Sequence, residues 1–187
     1  IWDSFCDWYI ELSKSRLQGE NAGAARQVLT YVMTGILRLL HPFMPFVTEE
    51  IWQSLPHEGE ALVIADWPQY DDSLSFPKEE REMERVMEAI RAVRNRRAEM
   101  NVPPSRKAQV YVETAFASAF THGAPFIQRL ASASEVKVGE RFELPGAVSI
   151  VTPDATLKIP MAELVDLEAE RVRLNKEKDA VQKQLDG

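Results

Sequence analysis

Apolar residues recur at helical steps through the first hundred positions and at a shorter step afterwards. Trp2, Phe5, Tyr9 and Leu12 are spaced by three and four, which is one face of a helix. Ala25, Val28, Leu29, Val32, Ile36, Leu39 and Leu40 form a wider stripe and predict a central helix. Pro42 ends it, because the residue ahead of a proline is pushed out of helical geometry. Met44, Val47, Ile51 and Leu55 mark a third helix, with Pro45 in its first turn, where a missing N–H costs no bond. Met83, Val86, Met87, Ile90 and Val93 mark a fourth, over 78–101, stopped by Pro103 and Pro104. Residues 56–78 carry Pro56, Gly59, Pro68 and Pro77 and read as a long connection. An extended piece is expected at 62–64, with Trp67 and Tyr70 anchoring the connection across the bundle.

Beyond the double proline the period changes. Val110 and Val112 predict a strand, as do Val136 with Val138, Val148 with Ile150 and Val151, and Leu157 with Ile159. A Pro-Asp turn at 153–154 separates the last two. Residues 115–131 predict an Ala-rich helix carrying Phe116, Phe120, Ile127 and Leu130, interrupted near Gly123-Ala124-Pro125. Finally Leu164, Leu167, Arg171, Leu174, Lys178, Val181 and Leu185 alternate steps of three and four. That is a coiled-coil seam, with Arg171 and Lys178 keeping its register. The expected architecture is mainly α. It has a helical bundle over 1–104, a small mixed α/β domain over 105–161, and the first helix of a truncated coiled-coil arm over 162–187.

Composition narrows the function. A hydrophobic content of 45% over 187 residues can build a core, yet no apolar run reaches the roughly 20 residues of a membrane span. The most apolar stretch, 28–47, is broken by Arg38, His41, Pro42 and Pro45. No charged-then-apolar leader opens the sequence, and the single Cys6 fits a reducing compartment, so a cytoplasmic protein is expected. With His41, His57 and His122 scattered, neither a metal-ligand spacing nor a nucleophilic constellation is present. No catalytic residue and no cofactor are expected. A net charge of −7 argues against a non-specific nucleic-acid binder and puts the weight on how basic residues cluster. The sequence opens at Ile1 inside a helical pattern and stops at Gly187 inside a heptad run, so a piece of a longer protein is expected.

The run Leu39-Leu40-His41-Pro42-Phe43-Met44-Pro45-Phe46-Val47-Thr48-Glu49-Glu50-Ile51-Trp52 resembles the anticodon-binding bundle of class I aminoacyl-tRNA synthetases for aliphatic amino acids. Phe5-Cys6-Asp7-Trp8-Tyr9-Ile10-Glu11-Leu12 resembles the first helix of the valyl members of that class. The run from Ile90-Arg91-Ala92-Val93-Arg94-Asn95-Arg96-Arg97 through Ala98-Glu99-Met100-Asn101-Val102-Pro103-Pro104 resembles their last bundle helix. The α/β segment followed by Ile159-Pro160-Met161 and a heptad helix is similar to the approach to their C-terminal arm. The resemblance covers essentially the whole chain and is weakest over 106–150. It implies that an intact enzyme would join valine to its tRNA using ATP and magnesium. This piece would bind the valine tRNA at its anticodon, with no role for DNA or a membrane. The His-Ile-Gly-His and Lys-Met-Ser-Lys-Ser signatures of the catalytic domain are missing, so this piece alone is expected to be inactive.

The fourth helix holds five glutamates over 79–88 but four arginines and no acid over 91–97. Arg94 and Arg97 lie on the side of Met83, Met87 and Ile90, and a buried charge needs compensation. Two readings stand. These guanidiniums pair with carboxylates such as Glu49, Glu50 or Asp66, or they face RNA phosphates and bases. Arg91 and Arg96, on the flanks, are candidate phosphate contacts, and so are Lys14, Arg16 and Lys107. For Lys14 and Arg16 the ordinary alternative is the negative end of the first helix. Trp8 is either packing or a stacking platform, with packing favoured. The seam residues Leu164, Leu167, Leu174, Val181 and Leu185 support a rival function, a protein-interaction module joined through its heptad helix. A heptad helix deprived of its hairpin partner would also self-associate artificially. The same piece of an isoleucyl or leucyl enzyme is a further alternative.

Overall fold

The structure is a computed structural model that describes residues 1–14, 16–19 and 22–164. Contacts divide the chain into two compact units, Ile1–Ser75 and Phe76–Gly187. The chain is mixed α/β, with the helices joined by a four-stranded mixed sheet. The expected predominance of helix is therefore too strong a statement.

The first unit opens with a π-helical stretch, Trp2–Tyr9, that continues into α1 (Ile10–Ser13). The wide winding is seen directly in the Cys6 N–H, which reaches back to the Ile1 carbonyl. Phe5, Trp8 and Leu12 are buried, and Phe5 stacks on Tyr9 at 5.9 Å between centroids. Trp8 is thus a packing residue. Trp2, expected on the same buried face, is 73% exposed at the open end of the stretch. A 3-10 turn at Arg16–Gln18 precedes α2 (Ala22–Leu40), and α3 (Pro45–Gln53) follows with proline in its first turn as the pattern predicts.

One hydroxyl ties the HPFMPFVTEE segment together. Thr48 is buried, and its Oγ1 donates to the Met44 carbonyl at 2.8 Å. His41 Nδ1 lies 2.8 Å from the same oxygen, so the imidazole closes the turn as donor. Glu49 accepts from Gln53 Nε2 and from the Leu62 backbone N–H, tying the connection to α3. These hydrogen bonds, that from Gln53 foremost, hold its carboxyl below the usual range. Leu62 then joins Leu37 and Trp52 in the core of this unit. The expected extended piece is instead a 3-10 turn, Leu62–Ile64. Its one buried residue anchors the connection, whereas Trp67 and Tyr70 are exposed at 54% and 83%. A single side chain at the tip of a tight turn reaches the core without ordering a longer strand.

The second unit contains α4 (Pro77–Glu99), β1 (Ala108–Glu113), α5 (Ala117–Leu130), β2 (Ala133–Gly139), β3 (Ala147–Val151), β4 (Thr156–Pro160) and α6 (Met161–Leu164). The sheet order is β2-β1-β4-β3. β1 and β2 are parallel, joined by α5, and the other pairs are antiparallel. In this division by contacts α4 falls with the sheet. The apolar face of α4, with Val86, Ile90 and Val93, packs on α5 and reaches β3. α5 also runs unbroken through Pro125. Its buried Ala119, Phe120, Gly123 and Ile127 hold it on its neighbours despite the lost backbone bond. Leu164, expected as the first seam position, is 1% exposed and belongs to the core, because α6 packs on β4 and β1. The remaining seam residues, Leu167, Leu174, Val181 and Leu185, lie outside the described residues.

One sheet face carries Val110, Val112, Leu157 and Ile159, all buried. The opposite face is closed by a polar latch. Lys158 Nζ donates to Glu113 Oε1 at 2.6 Å and to the Phe142 carbonyl at 2.8 Å, and the Phe142 N–H donates to the same Glu113 oxygen. Phe142 meets Tyr111 edge-on at 5.1 Å. The hydrogen bond from Lys158, then that from Phe142, holds the Glu113 carboxyl below its usual range. A depressed carboxylate contributes stability that is complete above its unfolded pKa and is lost as pH falls through the folded value. Thermal stability should hold near neutrality and decline below the ordinary carboxylate range. In Glu113→Gln the Glu113 part of that decline should be gone. Acid profiles of wild type and variant that run parallel would contradict the latch.

Candidate nucleic-acid interface

The basic end of α4 is built by the change from glutamate to arginine along the helix. Each of its four arginines meets a different environment. Arg91 is exposed in a groove of about 590 Å³ whose wall includes Glu84, Glu88, Asn95 and the β3–β4 turn at Thr152 and Pro153. Arg96 is paired with Glu99 at 3.1 Å, an i,i+3 surface pair of small energetic weight. Arg94 is exposed, and its Nε donates to the Leu130 carbonyl at 2.6 Å. Arg97 is 6% exposed.

Within their own unit, Arg94 and Arg97 meet backbone carbonyls where carboxylate partners were expected. Glu49, Glu50 and Asp66 belong to the other unit. Arg97 instead uses Nη2 to hold the carbonyls of Pro103 and Arg106, at 3.2 and 2.5 Å. This guanidinium ties the end of α4 to the segment after the double proline. Pro104 has no N–H, and Asn101 takes a left-handed φ of 53°. The loop therefore cannot continue the helix, and its carbonyls need a donor from elsewhere. Desolvation alone pulls the Arg97 pKa downward. The stabilisation of its charge thus comes from carbonyl dipoles, and no carboxylate among the described residues pairs with it.

Arg94 and Arg97 share a cleft of about 370 Å³ with Arg129, at the C-terminal ends of α4 and α5. Its other lining residues are Ala98, Val102, Pro104, Leu130, Ala131 and Ser132. The sequence reading missed Arg129. A helix broken at Pro125 puts Arg129 out of register with Arg94, whereas the unbroken α5 brings its last turn beside α4. The only signal available was a cation in the last turn of a helix, which the helix dipole already explains. Lys107 is exposed just ahead of β1 and does not line this cleft. Lys14 and Arg16 lie in the first unit, where Lys14 pairs with Glu11 at 2.5 Å and Arg16 is exposed. That unit also presents Phe43 and Phe46, 82% and 90% exposed, on either side of Met44. Exposed aromatic rings beside a fixed turn are platforms on which unpaired bases can stack.

The first unit thus exposes two aromatic rings beside a hydrogen-bonded turn, and the second gathers three arginines at the ends of two helices. Residues 1–112 match the family described as the anticodon-binding domain of tRNA ligase, and the chain belongs to that family. The match runs through α4 into β1. Among curated relatives, the chain is 46% identical over 183 residues to the valine--tRNA ligase of Carboxydothermus hydrogenoformans, covering 95% of this chain and 21% of that protein. It is 43% identical over 183 residues to the valine--tRNA ligase of Bacillus thuringiensis subsp. konkukian, covering 94% and 21%. It is 46% identical over 192 residues to that of Clostridium perfringens, covering 99% and 22%. The chain thus spans about a fifth of the length of the curated relatives it matches.

Proposed function

We propose that this chain is the tRNA-recognising part of a cytoplasmic valine--tRNA ligase, and that its partner is the valine tRNA. The observation that carries this is likeness to valine--tRNA ligases along nearly the whole chain, including the sheet unit beyond the family's matched segment. On this reading the exposed rings of the first unit meet unpaired anticodon bases. Arg91, Arg94 and Arg96 on α4, with Lys14, Arg16 and Lys107, face phosphates. No helix among the described residues is long and apolar enough to cross a membrane.

ATP and magnesium would act in the parent's catalytic part. Among the described residues no group of three His, Cys, Asp or Glu is placed to hold a metal ion. What the chain itself contributes is position. Holding the anticodon arm fixes where the far acceptor end can lie, and binding energy gained at a distance serves orientation at the reacting centre.

Arg91→Ala in the parent ligase tests the reading. Valine-tRNA affinity should fall, and the slope of log affinity against log salt should shrink by about one unit. Affinity and slope both unchanged would remove Arg91 from the interface. A parent enzyme indifferent to changes in the anticodon would remove the function.

A further inference from the structure

The groove at Arg91 has Glu84 and Glu88 in its wall, and the small depression at His122 has Glu79 and Glu82. The cleft of Arg94, Arg97 and Arg129 has no acidic side chain in its wall. Its position at two helix C-termini does not account for that much positive charge. Each helix end is worth about half a negative charge, which leaves the three guanidiniums roughly two charges in excess. Hydrogen bonds within the protein also leave most of the donors over. Arg94 gives its Nε to Leu130, Arg97 gives its Nη2 to two carbonyls, and Arg129 has no hydrogen bond or ion pair among the described residues. A guanidinium carries five N–H groups in a planar fork that matches phosphate oxygens. Arg97 is moreover held nearly out of solvent with no paired carboxylate among the described residues, an arrangement that an arriving anion would relieve.

We propose that this cleft seats a phosphate of the RNA backbone, with Arg94 and Arg129 as the approaching forks and Arg97 as a fixed charge in the wall. The proposal rests on the tRNA-binding reading above and extends it to a site in the sheet-bearing unit that includes α5. The rest of the wall favours RNA over a free phosphate ion. Ala98, Val102, Pro104 and Leu130 offer apolar surface that a bare ion would leave unused and a ribose would cover.

The test uses the parent ligase and its valine tRNA, with affinity measured over a series of salt concentrations. Arg129→Gln and Arg94→Gln should each weaken binding about tenfold, the size of one charge-assisted hydrogen bond lost. Each should reduce the salt slope by about one unit, equally for the native and an anticodon-altered tRNA. Arg81→Gln removes one charge from the exposed acidic half of α4 and should leave the slope intact. A slope in both cleft variants equal to wild type overturns the proposal while leaving the tRNA reading standing. A loss no larger than that of Arg81→Gln shows a general field and overturns it as well. Wild-type enzyme that fails to bind the tRNA sinks both. Titration with inorganic phosphate separates the sources. Saturation at the cleft in wild type, abolished in Arg129→Gln while tRNA binding is unchanged, would make the site one for a free anion and end the RNA assignment.

Discussion

Arg97→Ala should lower the stability of the sheet unit by about 2–3 kcal/mol, with a fall in melting temperature of roughly 5–10 °C. The substitution strips the donor from two carbonyls, those of Pro103 and Arg106, and opens space where the side chain was buried. Each hydrogen bond from a charged group contributes about 1.5–3 kcal/mol. Against that stands the desolvation of the guanidinium, which already pulls its pKa down and which the alanine variant escapes. The hydrogen bonds outweigh it because the two acceptors are left behind, and an orphaned polar group keeps its own desolvation cost. Arg97→Lys should recover only part of the loss, since one ammonium on a flexible stem replaces a planar fork. Urea denaturation of the three proteins ranks them. A variant as stable as wild type would mean that the two carbonyls find water and that the Arg97 contact is incidental.

Gly123→Ala should be the second large effect, and its sign runs against helix propensity. In mid-helix the exchange is worth about 1 kcal/mol in favour of alanine. At Gly123, however, an added Cβ would stand 2.9 Å from one methyl of Val86 and closer still to the other. Val86 is itself 2% exposed on α4, so relief requires a changed rotamer or a shift of the helix. Overpacking of this kind costs about 1–3 kcal/mol, and pushing α4 from α5 puts the result at the upper end. We expect a net loss near 1–2 kcal/mol. Val86→Ala in the same chain should return much of it, giving a double-mutant coupling well outside additivity. If the two losses simply add, the close approach of α4 and α5 is not what glycine serves there.

These two positions show where reading along the chain succeeds and where it stops. The apolar steps of three and four located α2, α3 and α4, and the prolines at 42, 45 and 103 marked their limits, because periodicity and missing N–H groups are local properties. The alternation at 110–112 and 148–159 placed three strands for the same reason. The basic end of α4 was visible as a run of residue types, and the HPFMPFVTEE segment carried the family resemblance. Its Thr48–His41 contact now gives that segment a physical basis.

What a local pattern does not contain is the partner of a face. The stripe on α4 says that something apolar covers it. Only tertiary packing makes α5 and the sheet part of that cover. The same packing carries α5 through Pro125 and so delivers Arg129 to the cleft, turns Leu164 inward from the expected seam, and gives Arg97 carbonyls in place of carboxylates. The sequence by itself determined α2 to α4, the strands and the change from acidic to basic along α4, since these follow from neighbours a few residues away. The cleft was decided by contacts between residues more than thirty positions apart, where the burial of apolar surface outweighs local preference and no short-range rule reaches.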